Sequence, residues 1–143
     1  LPFIKPQYII VTNLFRDSIK RNGYVSFIFD RLEEAFNKVP DTTLILNADD
    51  PISSMVNVKN KCIFYGVEKK DNEINIPFNT DFPVCPKCYH KIDYLYQHYR
   101  HIGKVYCKYC GFKSHEVDFK AVDIDNNKRK SFIYDKLETY RRR

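Results

Sequence analysis

Four cysteines in two closely spaced pairs constrain this chain more than any other feature of its sequence. The first pair lies in CPKC, as Cys85 and Cys88, and the second lies in CKYCG, as Cys107 and Cys110. Zn²⁺ prefers four soft ligands in a tetrahedron, and two residues between paired cysteines let a tight turn direct both sulfurs at one ion. The residues between the pairs can form a hairpin. The pattern therefore predicts a zinc ribbon at residues 84–118.

The predicted zinc is structural, because four thiolates close the coordination sphere and leave no open position for water. A redox function of the Cys-x-x-Cys pairs fits poorly, since neither pair opens a helix after a strand. Exchange of a cysteine ligand for a nearby histidine is conceivable, but exposed or hydrogen-bonded histidines are the favoured interpretation. These histidines are His90, His98, His101 and His115. Cys62 stands alone in an apolar run, and we expect it to be a small core residue.

Apolar runs on both sides of the ribbon predict an α/β fold with a partial parallel sheet. Two β-branched runs predict buried strands at residues 8–13 and 42–47, and residues 61–67 predict a third strand. Residues 25–38 carry apolar side chains at helical spacing between the first two strands. An order of strand, helix, strand is typical of parallel sheets with right-handed crossovers. After the ribbon, two further runs predict a β-hairpin, at residues 117–124 and 130–134.

The charge of the chain leaves several partners open. The formal net charge is +6, which could favour nucleic acid or anionic lipid, but the basic residues form no long block, and a solvated surface is favoured. Ribbon tyrosines interleaved with basic residues could stack bases, although core packing is their favoured role. These tyrosines are Tyr94, Tyr96, Tyr99 and Tyr106. No run approaches the roughly 20 apolar residues that span a membrane, and no signal peptide is evident, so we expect a cytoplasmic protein.

Polar side chains follow two of the predicted strands. The second strand ends in Asn47, followed by Asp49 and Asp50, and the first ends in Asn13, with Asp17 just beyond it. Because α/β proteins place ligands at the carboxyl ends of parallel strands, these groups could contact a ligand. They could equally hold turns, because Asn and Asp side chains hydrogen-bond nearby backbone groups. The residues alone leave both interpretations open.

Four motifs occur together in this sequence: VTNLFRD, LNADDP, CPKC and YRHIGKVYCKYCGF. In this combination they resemble the MurT-type Mur ligases, in which a zinc ribbon is inserted into the ATPase domain. The resemblance covers at least residues 1–134. It implies a partial central α/β domain at residues 1–83, the inserted ribbon at residues 84–118, and return strands of the central domain at residues 119–143.

The resemblance also implies a chemistry. Mur ligases use ATP and Mg²⁺ to activate a carboxylate as an acyl phosphate, which an amine then attacks. MurT-type ligases pair with a GatD-type glutaminase that supplies ammonia, and together they amidate the D-glutamate of the lipid II stem peptide in peptidoglycan synthesis. By this resemblance a nucleotide would lie near the strand-end residues, which are Asn13, Asp17, Asn47, Asp49 and Asp50.

The sequence departs from that family in ways that bear on catalysis. It contains no Gly-rich phosphate loop ending in Gly-Lys-Thr or Gly-Lys-Ser, and Ser18 and Lys20 stand where classical Mur ligases carry a His and an Asp. We therefore assign no catalytic residue. Because the sequence starts on Leu1 and its single methionine is Met55, we expect a piece of a longer carbon–nitrogen ligase that is inactive by itself. The alternative is a stand-alone zinc-ribbon module that binds nucleic acid or docks to a partner.

Overall fold

The computed structural model describes residues 3–14, 25–69, 82–125 and 130–135. Within these ranges, no helix is long and apolar enough to cross a membrane. The chain order of the elements is β1 (Tyr8–Val11), α1 (Val25–Asn37), β2 (Thr43–Asn47), a 3₁₀ turn (Ser53–Met55), β3 (Cys62–Val67), β4 (Asp93–Tyr99), β5 (Ile102–Tyr106), β6 (Phe119–Asp125) and β7 (Lys130–Asp135).

Five of these strands form one sheet, in the order β1-β2-β3-β6-β7. The first four run parallel, and β7 returns antiparallel to β6. The ribbon lies between β3 and β6 in the chain, yet these two strands are neighbours in the sheet. The ribbon is therefore an insertion between adjacent strands. The predicted fold, an α/β parallel sheet with an inserted four-cysteine ribbon and a following β-hairpin, is confirmed.

Helix α1 covers one face of the sheet. Its Phe36 is buried with Leu44 and Leu46 of β2, and Leu32 packs at the margin of the same cluster. Alternate side chains of a strand point to the same face, so β2 presents both leucines to the helix. Half-buried Cys62 also packs there, and burial raises the pKa of its thiol, in agreement with its predicted role as a small core residue.

The first strand differs from its prediction. The sequence predicts a buried strand at residues 8–13, whereas β1 spans Tyr8–Val11 and lies at the end of the sheet. Tyr8 is 62% exposed and Ile10 is 64% exposed, while the alternate side chains turn toward the cluster under α1. The prediction of burial is wrong here, because a β-branched run does not reveal whether one or both faces of its strand are covered.

Candidate metal centre and strand-end turn

The two cysteine pairs come together at one end of the ribbon. The Sγ atoms of Cys85, Cys88, Cys107 and Cys110 all lie within 4.8 Å of one another. Across the pairs, the sulfurs of Cys85 and Cys110 are 3.6 Å apart, and those of Cys88 and Cys107 are 3.5 Å apart. Four sulfurs bound at about 2.3 Å to one tetrahedral zinc would lie roughly 3.8 Å from each other. The cluster could therefore hold one metal ion.

The two cysteine turns share one hydrogen-bond pattern. In the first turn, the Tyr89 amide donates to the Cys85 carbonyl at 2.7 Å, and the Cys85 amide donates to the His90 carbonyl at 2.6 Å. The same two bonds join Cys107 to the residues four and five positions later. The residue four positions on has a positive φ in both turns, 60° at Tyr89 and 73° at Gly111. Glycine adopts this conformation without strain, which explains the CKYCG sequence.

The cysteine thiols differ in how readily they lose a proton. Burial opposes ionisation of Cys107, but the backbone amides of Cys110 and Tyr109 donate to its sulfur, and the net result lowers its pKa to about 7. At Cys88 a backbone hydrogen bond from His90 favours the thiolate, but burial and the three neighbouring thiols raise its pKa to about 12. Four thiolates this close repel one another, so a bound cation is needed to keep all four ionised at neutral pH.

A small apolar layer supports the cysteines. Ile92 and Val105 are buried with Cys85 and Cys107, and Phe112 packs against this group. A core of this size contributes little free energy, since small modules bury too little apolar surface to fold without metals or disulfides. Metal ligation would therefore supply much of the free energy that folds this end of the ribbon.

The polar residues after β2 form a buried turn. Asn47 accepts a hydrogen bond from the Asp49 amide at 3.0 Å through Oδ1, and it donates to the Thr12 carbonyl at 2.8 Å through Nδ2. Oδ1 of Asp50 accepts from the Ile52 amide at 2.8 Å. Asn47, Asp49 and Asp50 are 9%, 3% and 0% exposed. These contacts are those of the turn-holding interpretation.

The same turn also fastens two neighbouring strands. Oδ2 of Asp50 accepts a hydrogen bond from the amide of Leu14, just beyond β1, at 2.9 Å. Oδ2 of Asp49 accepts from the amide of Val67, at the end of β3, at 2.7 Å. The close approach depends on Gly66, where a Cβ would lie 2.9 Å from that carboxylate oxygen. The two carboxylates thus tie the carboxyl ends of β1 and β3 to the turn that follows β2.

The ribbon hairpin, formed by β4 and β5, also contacts this turn. The amide of Gly103 donates to the backbone carbonyl of Asp49 at 2.7 Å. Nε2 of His98 lies 3.7 Å from Oδ2 of Asp49, and Nε2 of His101 lies 3.6 Å from Oδ1 of Asp50. The two imidazole side chains are 8% and 0% exposed. Two buried imidazole–carboxylate pairs therefore join the hairpin to the edge of the sheet.

Burial is the main influence on the ionisation of Asp50. It raises the pKa of this carboxyl above its ordinary value, while His101 and the amides of Ile52 and Leu14 act in the opposite direction by favouring the carboxylate. An ionised carboxylate in the interior costs free energy unless charge and hydrogen bonds compensate it. His101 is placed to supply that compensation.

These histidine contacts are the functional feature that sequence reasoning missed. The sequence predicts that the histidines are exposed or hydrogen-bonded. His90 is exposed and stacks on Tyr109, whereas the side chains of His98 and His101 are buried. The one local signal is the glycine two residues after His101, because a Cβ at Gly103 would collide with the backbone of the facing strand β4. A glycine required for close approach suggests a packed hairpin, but it does not identify the partner.

The remaining candidate residues are Asn13, Asp17 and the ribbon tyrosines. Asn13 is half-buried just after β1, and Asp17 lies outside the described residues. The Tyr94 hydroxyl donates to the carbonyls of Phe82 and His101 at 3.3 and 3.4 Å, which agrees with a packing role. Tyr99, at 51% exposure, is more open to solvent.

A cleft of about 700 Å³ lies beside Asp49, between the hairpin and the carboxyl ends of β3 and β6. Some of the charged side chains that line it form ion pairs. Nζ of Lys104 lies 3.8 Å from Oε1 of Glu116, and Nζ of Lys120 lies 3.2 Å from Oε1 of Glu68. Ligands of α/β proteins bind outside the carboxyl ends of parallel strands, which is where this cleft opens.

Comparisons with known proteins find similar proteins by sequence and by structure. No family model matches the chain. It is 29% identical over 140 residues to the MurT subunit of the glutamine-hydrolysing lipid II isoglutaminyl synthase of Streptococcus pneumoniae, covering 95% of this chain and 31% of that protein. It is also 29% identical over 123 residues to the MurT subunit of Staphylococcus aureus, covering 85% of this chain and 28% of that protein. The chain thus spans about a third of the length of these curated relatives.

A solved structure with the same fold is a pseudomurein peptide ligase type C from Methanothermus fervidus. It superposes with a TM-score of 0.59 and 26% sequence identity, over 90% of this chain and 26% of that chain. Both comparisons match nearly the whole of this chain to a limited part of a longer protein.

Proposed function

We propose that this chain, which is similar to MurT-type Mur ligases, forms the ribbon-bearing part of the central domain of an ATP-dependent carbon–nitrogen ligase. The observation that carries the proposal is the match to MurT over 95% of the chain. The α/β sheet with an inserted four-cysteine ribbon supports it. The reaction would be amidation of D-glutamate in the lipid II stem peptide, with ammonia from a GatD-type glutaminase subunit, in the cytoplasm.

We assign the cysteine cluster to one structural Zn²⁺, held by Cys85, Cys88, Cys107 and Cys110. The sulfur separations, the soft donors and the amides that donate to Cys107 all suit this ion. Zinc bound by four thiolates has no open position, so it would stiffen the ribbon and take no part in the chemistry.

ATP and Mg²⁺ fit the residues present less well. The sequence has no phosphate loop. Oδ2 of Asp49 and both carboxylate oxygens of Asp50 already accept hydrogen bonds from backbone amides in the interior. We therefore propose that Asn47, Asp49 and Asp50 shape the edge of the sheet near a nucleotide without ligating its metal. The groups that hold ATP and Mg²⁺ would come from other parts of the longer protein.

The proposal is tested with the natural protein that contains this sequence, purified together with its glutaminase. The mixture receives ATP, Mg²⁺, glutamine and lipid II, and mass spectrometry follows conversion of the D-glutamate α-carboxylate to an amide. We expect the product only when both ATP and a source of ammonia are present. Absence of amidation by an intact, fully zinc-loaded complex would remove the ligase proposal, whereas this chain alone should show no ATP turnover.

The second candidate function is a zinc-ribbon module that binds nucleic acid. Its supporting observation is the exposed Tyr109. The ring of Tyr109 stacks on His90, and the centroid of this ring lies 5.6 Å from the Nζ atom of Lys108. Such a surface predicts binding to single-stranded nucleic acid that weakens steeply with salt. A filter-binding titration with a mixed-sequence oligonucleotide at low and high salt distinguishes this function from the ligase proposal.

A further inference from the structure

The hairpin end of the ribbon lies on the carboxyl edge of the sheet, and this contact has a consequence for the whole edge. His98 is paired with Asp49 and His101 with Asp50, and all four side chains are at most 8% exposed. Each carboxylate also accepts a hydrogen bond from a backbone amide at or just beyond the end of another strand. The donor to Asp49 is Val67, the last residue of β3, and the donor to Asp50 is Leu14, just beyond β1. Each aspartate therefore stands between an imidazole of the ribbon and a backbone amide of the sheet.

We propose that His98 and His101 are positioning residues, which act through Asp49 and Asp50 to hold the carboxyl ends of β1 and β3 in place. The hairpin that carries them is continuous with the two cysteine turns, so occupation of the metal site would determine how firmly the sheet edge is held. The inference rests on the metal assignment in the proposed function, but it adds a role that a merely local zinc site would not have.

The contacts favour a tight linkage between the two regions. A second connection anchors the far side of the ribbon, because Oδ2 of Asp118 accepts from the Phe64 amide at 2.8 Å and the Asp118 amide donates to the Phe64 carbonyl at 2.7 Å. His115 stacks on the Phe64 ring at 4.0 Å. With the ribbon held at both places, loss of order in the hairpin is transmitted to the sheet edge instead of being absorbed by a flexible joint.

The linkage also shapes the neighbouring cleft. Asp49 from the turn and Lys104 from the hairpin both line it, together with Val67 at the end of β3. A shift of the hairpin relative to the turn would therefore alter the cleft from two sides. The shape of the cleft would then depend on the metal. The cleft keeps its shape while the cysteine cluster holds an ion and loses it when the ion is removed.

Amide hydrogen exchange on this chain, followed residue by residue by NMR, tests the proposal. The reporter amides are those of Leu14 and Val67, because their acceptors are the two aspartates. In His98→Leu and His101→Leu we expect the corresponding reporter, Val67 or Leu14, to exchange about tenfold faster or more, with one zinc still bound. His98→Gln and His101→Gln, which keep a donor near the carboxylate, should restore part of the protection.

Controls separate positioning from general loss of stability. The amide of Leu44, in the core strand β2, should keep its wild-type protection in all four variants, and His90→Leu should leave both reporters unchanged. Removal of the metal with a chelator should accelerate both reporters in the wild-type chain. Unchanged reporters in the Leu variants, or after metal removal, would overturn the proposal; a chain that binds no zinc at all would overturn the metal assignment separately.

Discussion

The two ends of the ribbon are held in different ways. At the cysteine end, the contacts join residues within two short motifs: sulfurs, turn amides and a glycine at positive φ. At the hairpin end, His98 and His101 meet aspartates that lie far earlier in the chain. The first arrangement is visible as a spacing of residue types, whereas the second exists only because the fold brings distant segments together. A sequence motif can therefore reveal an ion site and give no sign of what that site supports.

The largest expected effect comes from breaking the cysteine end. Cys107→Ser removes one of four thiolates and should abolish stoichiometric zinc binding and unfold residues 84–118, because metal ligation is much of the folding free energy of such a module. Strands β1 to β3 should persist, since the cluster of Phe36, Leu44 and Leu46 does not include the ribbon. Metal content by mass spectrometry and the NMR spectrum of the ribbon residues check this. Cys62→Ser is the matched control and should keep a full equivalent of zinc; retention of zinc by Cys107→Ser would refute the ligand set.

The opposite perturbation leaves the ribbon alone and weakens the sheet. Phe36→Ala removes the largest buried side chain between α1 and β2 and should lower the free energy of unfolding of the sheet by roughly 3–5 kcal/mol. Zinc affinity, measured under conditions where the variant remains folded, should change little, since Phe36 does not touch the cysteine cluster. A large loss of zinc affinity in this variant would mean that the cysteine end depends on the sheet.

A pair of glycine substitutions compares the two ends directly. Gly103→Ala places a methyl group against the backbone of Tyr96 and Gln97 at the hairpin, which should cost roughly 1–3 kcal/mol of stability. Gly111→Ala meets no atom within 4 Å, but φ is +73°, so it should cost about 1–2 kcal/mol through backbone strain alone. Chemical denaturation of the zinc-bound chain measures both. We expect only Gly103→Ala to accelerate hydrogen exchange at the reporter amides of Leu14 and Val67. An equal acceleration by Gly111→Ala would contradict the difference between the two ends of the ribbon.

The smallest expected effect concerns pH. Burial raises the pKa of Asp50 above 3.8, so the folded chain binds more protons than the unfolded chain between that value and the raised pKa. The contribution of Asp50 to stability is therefore fully present below about pH 4 and is lost as pH rises through the raised pKa. Urea unfolding of wild type and Asp50→Asn across this range checks the sign. Protonation of the cysteines acts on both proteins alike, so the difference between them reports the pair of Asp50 and His101. A difference that is constant with pH would contradict the prediction.

A second measurement tests the contact between His101 and Asp50. His101→Ala removes the group that favours the Asp50 carboxylate, so the pKa of Asp50 should rise further. Carboxyl carbon shifts in an NMR titration report this directly. A pKa of Asp50 that stays the same or falls would show that His101 does not act on this carboxyl.

Much of the fold could be predicted from the sequence, for reasons specific to each segment. The runs that became β2 and β3 are short, β-branched and flanked by polar turns, and the helical spacing of α1 places Leu32 and Phe36 on one face. The burial of β1 could not be predicted, because Ile9 and Ile10 are the same residue type while only one of them faces the core. The residue types of Asn47 and the two aspartates likewise do not reveal that these side chains hold a turn, which their hydrogen bonds show. A nucleotide near them stays a prediction.

The cysteine cluster could be predicted from the sequence, since ligand type and spacing encode a local geometry that few other structures satisfy. The sequence also predicts the parallel α/β class through the order and periodicity of its apolar runs. Three features are visible only in the folded chain: the burial of the strand-end aspartates, their hydrogen bonds to the ends of β1 and β3, and the contacts that His98 and His101 of the ribbon make with them. The physical reason is that a buried carboxylate takes its hydrogen bonds and compensating charge from whatever lies nearby in space, and separation along the chain carries no record of that proximity.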